Sequence, residues 1–70
     1  MRFLARMNEQ SRLRRINDGF EYAAGCLLKE GQNAVTMLEY HVEEMRGFHE
    51  YTPFEEGVEA AIKKYEELVK

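Results

Sequence analysis

The spacing of the apolar residues constrains the fold of this sequence more than any other feature. Along the long stretches of the chain they recur mostly every three or four positions, and the pattern is weakest around Gln10. That spacing places them on one side of an α-helix, whereas a half-buried strand would alternate apolar and polar residues. No stretch of the sequence favours a strand. We therefore predict an all-α fold.

The first helix is predicted from an apolar series in the first half of the chain: Phe3, Met7, Leu13, Ile16, Phe20, Ala23 and Leu27. The series is interrupted at residues 17–19. A helix could restart there, because Asp18 and Glu21 have the spacing of a capping box. It could also run through, at a cost of about 1 kcal/mol for Gly19 relative to alanine. We favour one long helix over residues 3–30, bent or straight at 17–19, with Gly31 ending it.

Two shorter helices are predicted to follow. Asn33 is the expected N-cap of the second helix, residues 33–46, and Gly47 is expected to end it. The third helix, residues 53–69, has the clearest start signal: Thr52 caps, Pro53 takes the first helical position, and Glu55 reaches back to the cap amide. The sequence therefore predicts a single domain over residues 1–70, a small three-helix fold made of a long helix and a helical hairpin.

Two glycine–alanine pairs stand at helical i, i+4 spacing, Gly19 with Ala23 and Gly57 with Ala61. Small residues one turn apart allow two helix axes to approach closely. We expect the first pair, together with Cys26, to contact a second copy of the chain. A chain of 70 residues buries little core and gains stability from a partner surface. The apolar end of the long helix, Phe3, Leu4 and Met7, would remain uncovered by two shorter helices, so a homodimer or higher oligomer is expected.

Charge is unevenly distributed along the chain. Residues 2–15 carry a net charge of +4 and the remaining residues −7, which gives the overall −3. The basic segment allows three interpretations: contact with phosphates, pairing with acidic helices of this or another subunit, or solubility of a helix face. The planar guanidinium favours fixed pairing with carboxylate or phosphate. The candidate contacts to an anionic partner are Arg6, Arg12, Arg14 and Arg15.

Side chains suited to catalysis are few in this sequence. His41 and Glu44 share a helix face, but a metal site needs a third and usually a fourth ligand. Cys26 lies among leucines rather than beside an activating base, Ser11 lies among arginines, and no glycine-rich phosphate loop occurs. We expect no enzyme activity, no metal and no cofactor.

The expected location follows from two further features of the sequence. It has no apolar run long enough to span a membrane, for which roughly 18 residues are needed. Its one cysteine cannot form an intrachain disulfide. We therefore expect a cytoplasmic protein without membrane contact.

Two segments carry a family resemblance: residues 18–31, Asp-Gly-Phe-Glu-Tyr-Ala-Ala-Gly-Cys-Leu-Leu-Lys-Glu-Gly, and residues 54–61, Phe-Glu-Glu-Gly-Val-Glu-Ala-Ala. They resemble small accessory proteins of tailed phages and prophages, over about half of the chain and without the arginine segment. The resemblance transfers no catalytic residue. It implies a phage-encoded protein that binds and blocks a host factor, including factors of defence systems.

Two functional hypotheses remain open. In the first, the chain is a helical oligomer that inhibits a host protein. The contact is made by its acidic helices or by the aromatic connector between the second and third helices, residues 48–51. The candidate contacts are Glu43, Glu44, Phe48 and Tyr51. In the second, the arginine-rich first helix binds nucleic acid or a nucleotide. A pI near 5.4 disfavours general coating of DNA.

Overall fold

The computed structural model of the chain consists of three helices joined by short connections: α1 (Arg2–Glu30), α2 (Gln32–Gly47) and α3 (Pro53–Leu68). It describes the backbone of residues 2–69 and the side chains of residues 9–69. No strand occurs within residues 2–69. The prediction of an all-α, three-helix fold is confirmed.

α1 is a single helix that continues through residues 17–19. Its 29 residues correspond to a length of about 43 Å, which matches the longest dimension of the molecule, 44 Å. α2 and α3 have 16 residues each, or about 24 Å. Arg12 of α1 lies opposite Glu56 in the first turn of α3. The α1 backbone before Arg12 therefore projects beyond the start of α3.

The connection between α1 and α2 is a single residue, Gly31. Its backbone has φ 60° and ψ −130°, a conformation that only glycine adopts without strain. The Gly31 amide donates to the carbonyl of Leu27 (2.8 Å), and its own carbonyl accepts from the amide of Ala34 (2.9 Å). Gly31 thus ends α1, as predicted, and also serves as N-cap of α2. The prediction of Asn33 as N-cap is wrong, because the turn is already complete and Asn33 lies inside the helix.

The end of α2 differs from the prediction in a similar way. Gly47 belongs to the helix, and the left-handed residue that follows the helix is His49, with φ 59°. The Glu50 amide donates to the carbonyl of Met45 (2.7 Å) and the His49 amide to that of Arg46 (3.1 Å). These two bonds form a Schellman motif. α2 therefore ends one residue later than predicted, and the left-handed position falls two residues later, on a histidine where glycine is preferred.

α3 begins where the sequence predicts. Thr52 is extended, with φ −122° and ψ 173°, and Pro53 is the first helical residue. The Glu55 carboxylate accepts from the Thr52 amide at 2.9 Å and also from the Thr52 hydroxyl. The predicted capping box is present. At the other end, Leu68 is the last helical residue and Val69 is the cap.

The buried core between the helices consists of nine aliphatic side chains within the described residues. Its buried apolar members are Ala23, Leu27, Ala34, Val35, Leu38, Val42, Val58, Ala61 and Ile62. The largest fully buried side chain in the described part of the chain is that of Val58. Because this core is small, the helices depend on close contacts between their backbones.

The closest backbone contact joins α1 and α3, and it depends on two glycines. A Cβ atom at Gly19 would lie 1.9 Å from the carbonyl oxygen of Phe54. A Cβ atom at Gly57 would lie 1.9 Å from the carbonyl oxygen of Ile16 and 2.7 Å from the amide nitrogen of Phe20. The close approach predicted from the glycine–alanine pairs therefore occurs, and it occurs between α1 and α3 of one chain.

Candidate functional site

A groove runs between α2 and α3, with carboxylates along both sides. The apolar side chains at its base, Val42 and Ile62, are almost fully buried. It has a volume of about 270 Å³, and its charged lining residues are Glu39, Glu43, Glu59, Lys63 and Glu66. We call this the acidic groove. Its charge comes from two helices whose acidic residues face each other.

One end of the acidic groove adjoins a cluster around Arg46, the Arg46 cluster. The guanidinium donates to Glu43 on its own helix (3.0 Å) and pairs with Glu59 on α3. It also lies over the ring of Tyr51, 4.8 Å from the centroid. The Tyr51 hydroxyl donates to Glu59 at 3.0 Å. The cluster holds the end of α2 and the aromatic connector against α3.

Two members of the Arg46 cluster, Tyr51 and Arg46, have raised pKa values. Burial raises the pKa of Tyr51, and the hydrogen bond to Glu59 raises it further. Burial would lower the pKa of Arg46, but Glu59 and Glu43 outweigh it, and the pKa is raised. Tyr51 therefore remains a donor and Arg46 a cation, and this end of the groove is partly neutralised.

The other end of the acidic groove carries two carboxylates and one lysine, which give a net negative charge. Glu39, Lys63 and Glu66 are exposed there. None of the three forms an ion pair within residues 9–69. Two free carboxylates beside an apolar base fit a lysine or arginine side chain, since its stem packs on apolar surface while its head meets the carboxylate.

The one buried carboxylate of the core region has a structural explanation. Glu55 is 6% exposed, and its second oxygen lies 3.3 Å from His41 Nε2 on α2. Burial raises its pKa, but the hydrogen bonds from Thr52 and His41 outweigh burial, and the pKa of Glu55 is lowered. Glu55 therefore stays ionised and joins the start of α3 to α2. All of its partners are structural, so we assign it no catalytic role.

The predicted anion-binding arginines are not equivalent in the structure. Arg12 donates to both carboxylate oxygens of Glu56 on α3, at 3.0 and 2.8 Å. Arg14 and Arg15 are exposed and form no ion pair within residues 9–69. The Arg6 side chain lies outside the described residues. For Arg12, pairing with an acidic helix of the same chain is the correct interpretation.

The predicted contacts to a second copy are corrected in part. Gly19 and Ala23 are buried within the chain, and the α1–α3 contact leaves them no surface for a second copy. Their assignment to an oligomer interface is wrong, because the spacing of small residues does not say which helix they face. Cys26 is half-buried beside Tyr22, whose pKa it raises. The side chains of the other three members, Phe3, Leu4 and Met7, lie outside the described residues.

The predicted contacts to a protein partner divide into two groups. Glu44 is exposed, and Phe48 is 66% exposed after the end of α2. Glu43 and Tyr51 are engaged in the Arg46 cluster. Sequence reasoning missed the groove residues Glu39, Glu59 and Glu66. The sequence did contain a signal for these residues. Glu39 and Glu43 are four positions apart, and Glu59 and Glu66 are seven positions apart, so each pair lies on one helix face.

The part of the chain that the structure describes contains neither a cluster of metal ligands nor a helix that could span a membrane. No three histidine, cysteine or carboxylate side chains among them come together in a way that could hold a metal ion. None of the helices in that part of the chain is both long enough and apolar enough to cross a membrane.

Comparison of the chain with protein-family models, with curated proteins and with solved structures finds no match in any of the three.

Proposed function

We propose that this chain is a non-enzymatic interaction protein that binds a basic site on another protein through its acidic groove and blocks that site. The observation that carries the proposal is the pair of exposed, unpaired carboxylates, Glu39 and Glu66, beside the apolar base of the groove. The protein would act as a small homo-oligomer in the cytoplasm.

The shape and charge of the groove support a protein partner with lysine or arginine side chains. The groove's four carboxylates outnumber the two cations, Lys63 and the neighbouring Arg46. The net negative charge repels phosphate groups and attracts a cationic side chain at short range. The Arg46 cluster holds two of those carboxylates in place before binding, which reduces the ordering cost. Phe48 follows the same end of α2 and offers an exposed aromatic side chain next to the charged surface.

The nature of the partner follows from the family resemblance and the groove together. The resemblance to phage accessory proteins makes the partner a host protein, including a defence factor. A basic site on such a protein usually binds nucleic acid or another anion. A small acidic helical protein that occupies it inhibits by competition and needs no chemistry of its own.

Two charge-reversal variants test the proposal. The double substitution Glu39→Lys with Glu66→Lys reverses the charge of the two unpaired carboxylates of the acidic groove. Glu21→Lys with Glu30→Lys changes two exposed acids of α1 and alters the net charge by the same amount. Each protein is immobilised and used to capture partners from host lysate, followed by mass spectrometry. A partner retained by the wild type and the α1 variant, but lost by the groove variant, supports the proposal. Equal capture by both variants contradicts it.

The second candidate function, nucleic-acid or nucleotide binding, is supported by the exposure of Arg14 and Arg15 near the projecting end of α1. It is tested with the anisotropy of a labelled oligonucleotide at increasing salt concentration. Phosphate contacts give a steep fall of log affinity with log salt, and Arg14→Gln with Arg15→Gln would abolish the binding. The acidic-groove proposal expects no oligonucleotide binding by the wild type.

A further inference from the structure

The acidic groove contains a lysine of its own. Lys63 of α3 lies among the four carboxylates that line the groove, and it is exposed. It forms no ion pair within residues 9–69. Lys63 therefore stands at the site proposed for a partner's cation, and it carries the functional group that a partner's lysine would bring.

The two carboxylates nearest to Lys63 along α3 differ in their contacts. Glu59, one turn before it, already pairs with Arg46 and accepts from the Tyr51 hydroxyl. Glu66 follows Lys63 by three positions, a spacing at which two side chains can meet on one face of a helix. Glu66 forms no ion pair within residues 9–69. Of the two, Glu66 is the carboxylate that Lys63 is able to neutralise.

We infer that Lys63 competes with the partner's cationic side chain for Glu66 and thereby sets the affinity of the acidic groove for a basic ligand. The inference deepens the proposed function and rests on it. An ion pair between exposed side chains is weak, and exposed side chains change conformation within nanoseconds. Lys63 can thus release Glu66 when a ligand arrives. The ligand gains less from Glu66 than it would if no lysine stood beside that carboxylate.

Lys63 also changes the charge that a ligand meets. The groove is lined by four carboxylates and one lysine, which give a net charge of −3. Without Lys63 the lining would be more negative by one charge. At an exposed surface, one charge changes the affinity roughly three- to fivefold. Loss of this lysine should therefore strengthen the binding of a cationic ligand, although the residue belongs to the site.

The next residue, Lys64, provides a matched control. It is also exposed, but it lines a pocket between α1 and α3 together with Tyr65 and Leu68 and does not line the acidic groove. Replacing either lysine by glutamine changes the net charge of the chain by the same amount. A difference between the two variants therefore reports on position in the groove rather than on total charge.

Fluorescence anisotropy of a labelled oligolysine peptide at low salt tests the inference. Lys63→Gln should bind the peptide about three- to fivefold more tightly than the wild type, and Lys64→Gln should differ from the wild type by less than about twofold. Because both lysines are exposed, both variants should retain the helical circular dichroism of the wild type. Equal affinities of the two variants, weaker binding by Lys63→Gln, or no peptide binding by any of the three proteins would overturn the inference.

A second background tests the competition for Glu66. In a chain that carries Glu66→Gln, the carboxylate for which Lys63 competes is absent, so Lys63→Gln should raise the affinity by less than about twofold. A gain as large as in the wild-type background would overturn the competition. Failure here is distinguishable from failure of the proposed function. Capture of a protein partner that depends on Glu39 and Glu66 would still support that function if Lys63→Gln bound the peptide no better than the wild type.

Discussion

Where α1 crosses α3, backbone meets backbone; where α2 runs beside α3, charged side chains span the space between them. A Cβ atom on Gly19 or Gly57 would collide with carbonyl oxygens of the facing helix. Between α2 and α3, in contrast, Arg46 reaches across to Glu59 beside an open groove. The first contact has no room to adjust, whereas the second leaves a groove open to a ligand. A small helical protein can thus combine a fixed frame with an open binding face.

The largest effect should come from a methyl group added to the fixed contact. Gly57→Ala would place Cβ 1.9 Å from the carbonyl oxygen of Ile16, and neither helix can yield without losing core contacts. We expect the substitution to destabilise the fold by about 3 kcal/mol or more. The measurement is the free energy of unfolding in urea, followed by circular dichroism.

Gly25→Ala is the matched control for that substitution. Gly25 also lies within a helix, but a Cβ atom there would meet nothing within 4 Å. The variant should stabilise the fold by about 1 kcal/mol, because alanine is the better helix former. If the two alanine variants had equal effects, the close contact between α1 and α3 would be refuted.

The next largest effect should come from the buried carboxylate that joins α2 to α3. Glu55→Ala removes the acceptor for Thr52 and for His41, and we expect a loss of about 2 kcal/mol. The neighbouring Glu56→Ala removes an exposed pair with Arg12 and should cost less than about 1 kcal/mol. Urea unfolding of both variants compares them. Equal losses would show that Glu55 contributes no more than a surface residue.

The same carboxylate predicts the direction of a pH effect. The pKa of Glu55 is lower in the folded chain than its ordinary value of 4.5. Its contribution to stability is therefore fully present above the ordinary pKa and is lost as the pH falls through the lowered value. The wild type should lose more stability between pH 7 and pH 3 than Glu55→Gln does. A larger loss in the variant would contradict the assigned pKa shift.

Local signals in the sequence predicted much of this fold. Pro53 and Glu55 predicted the start of α3, and Gly31 predicted the turn after α1, because capping depends on neighbouring residues. The partner of a helix face depends on residues far away in the chain. The spacing of Gly19 and Gly57 predicted close packing between helices. It did not predict that Gly19 packs against α3 and Gly57 against α1. The acidic groove likewise arises only when α2 and α3 lie side by side.

A smaller effect on stability is expected from the capping box at the start of α3, next to the α1–α3 contact. Thr52→Ala removes the hydroxyl that bonds to Glu55, and we expect a loss of about 1 kcal/mol. Thr36→Ala, on the exposed side of α2, provides a control at a position that caps no helix. A midpoint of urea unfolding that is unchanged in Thr52→Ala would place the start of α3 elsewhere.

The smallest effect should be a gain, in the connection between α2 and α3. His49 has a positive φ of 59°, which strains any residue with a Cβ atom. His49→Gly should stabilise the fold by about 0.5–1 kcal/mol, since glycine adopts this conformation freely. The thermal midpoint would rise accordingly. A fall in the midpoint would show that the histidine side chain contributes more than its backbone strain costs.

Amide hydrogen exchange tests the difference between the two contacts most directly. Stability is distributed unevenly in a protein, and segments open separately according to their packing. If the α1–α3 contact is the fixed frame, the amides around Gly19 and Gly57 should exchange most slowly, through global unfolding. The amides of α2 beside the acidic groove should exchange faster, through a separate opening of lower free energy. Equal protection of all three helices, or slower exchange in α2 than at the two glycines, would contradict this account.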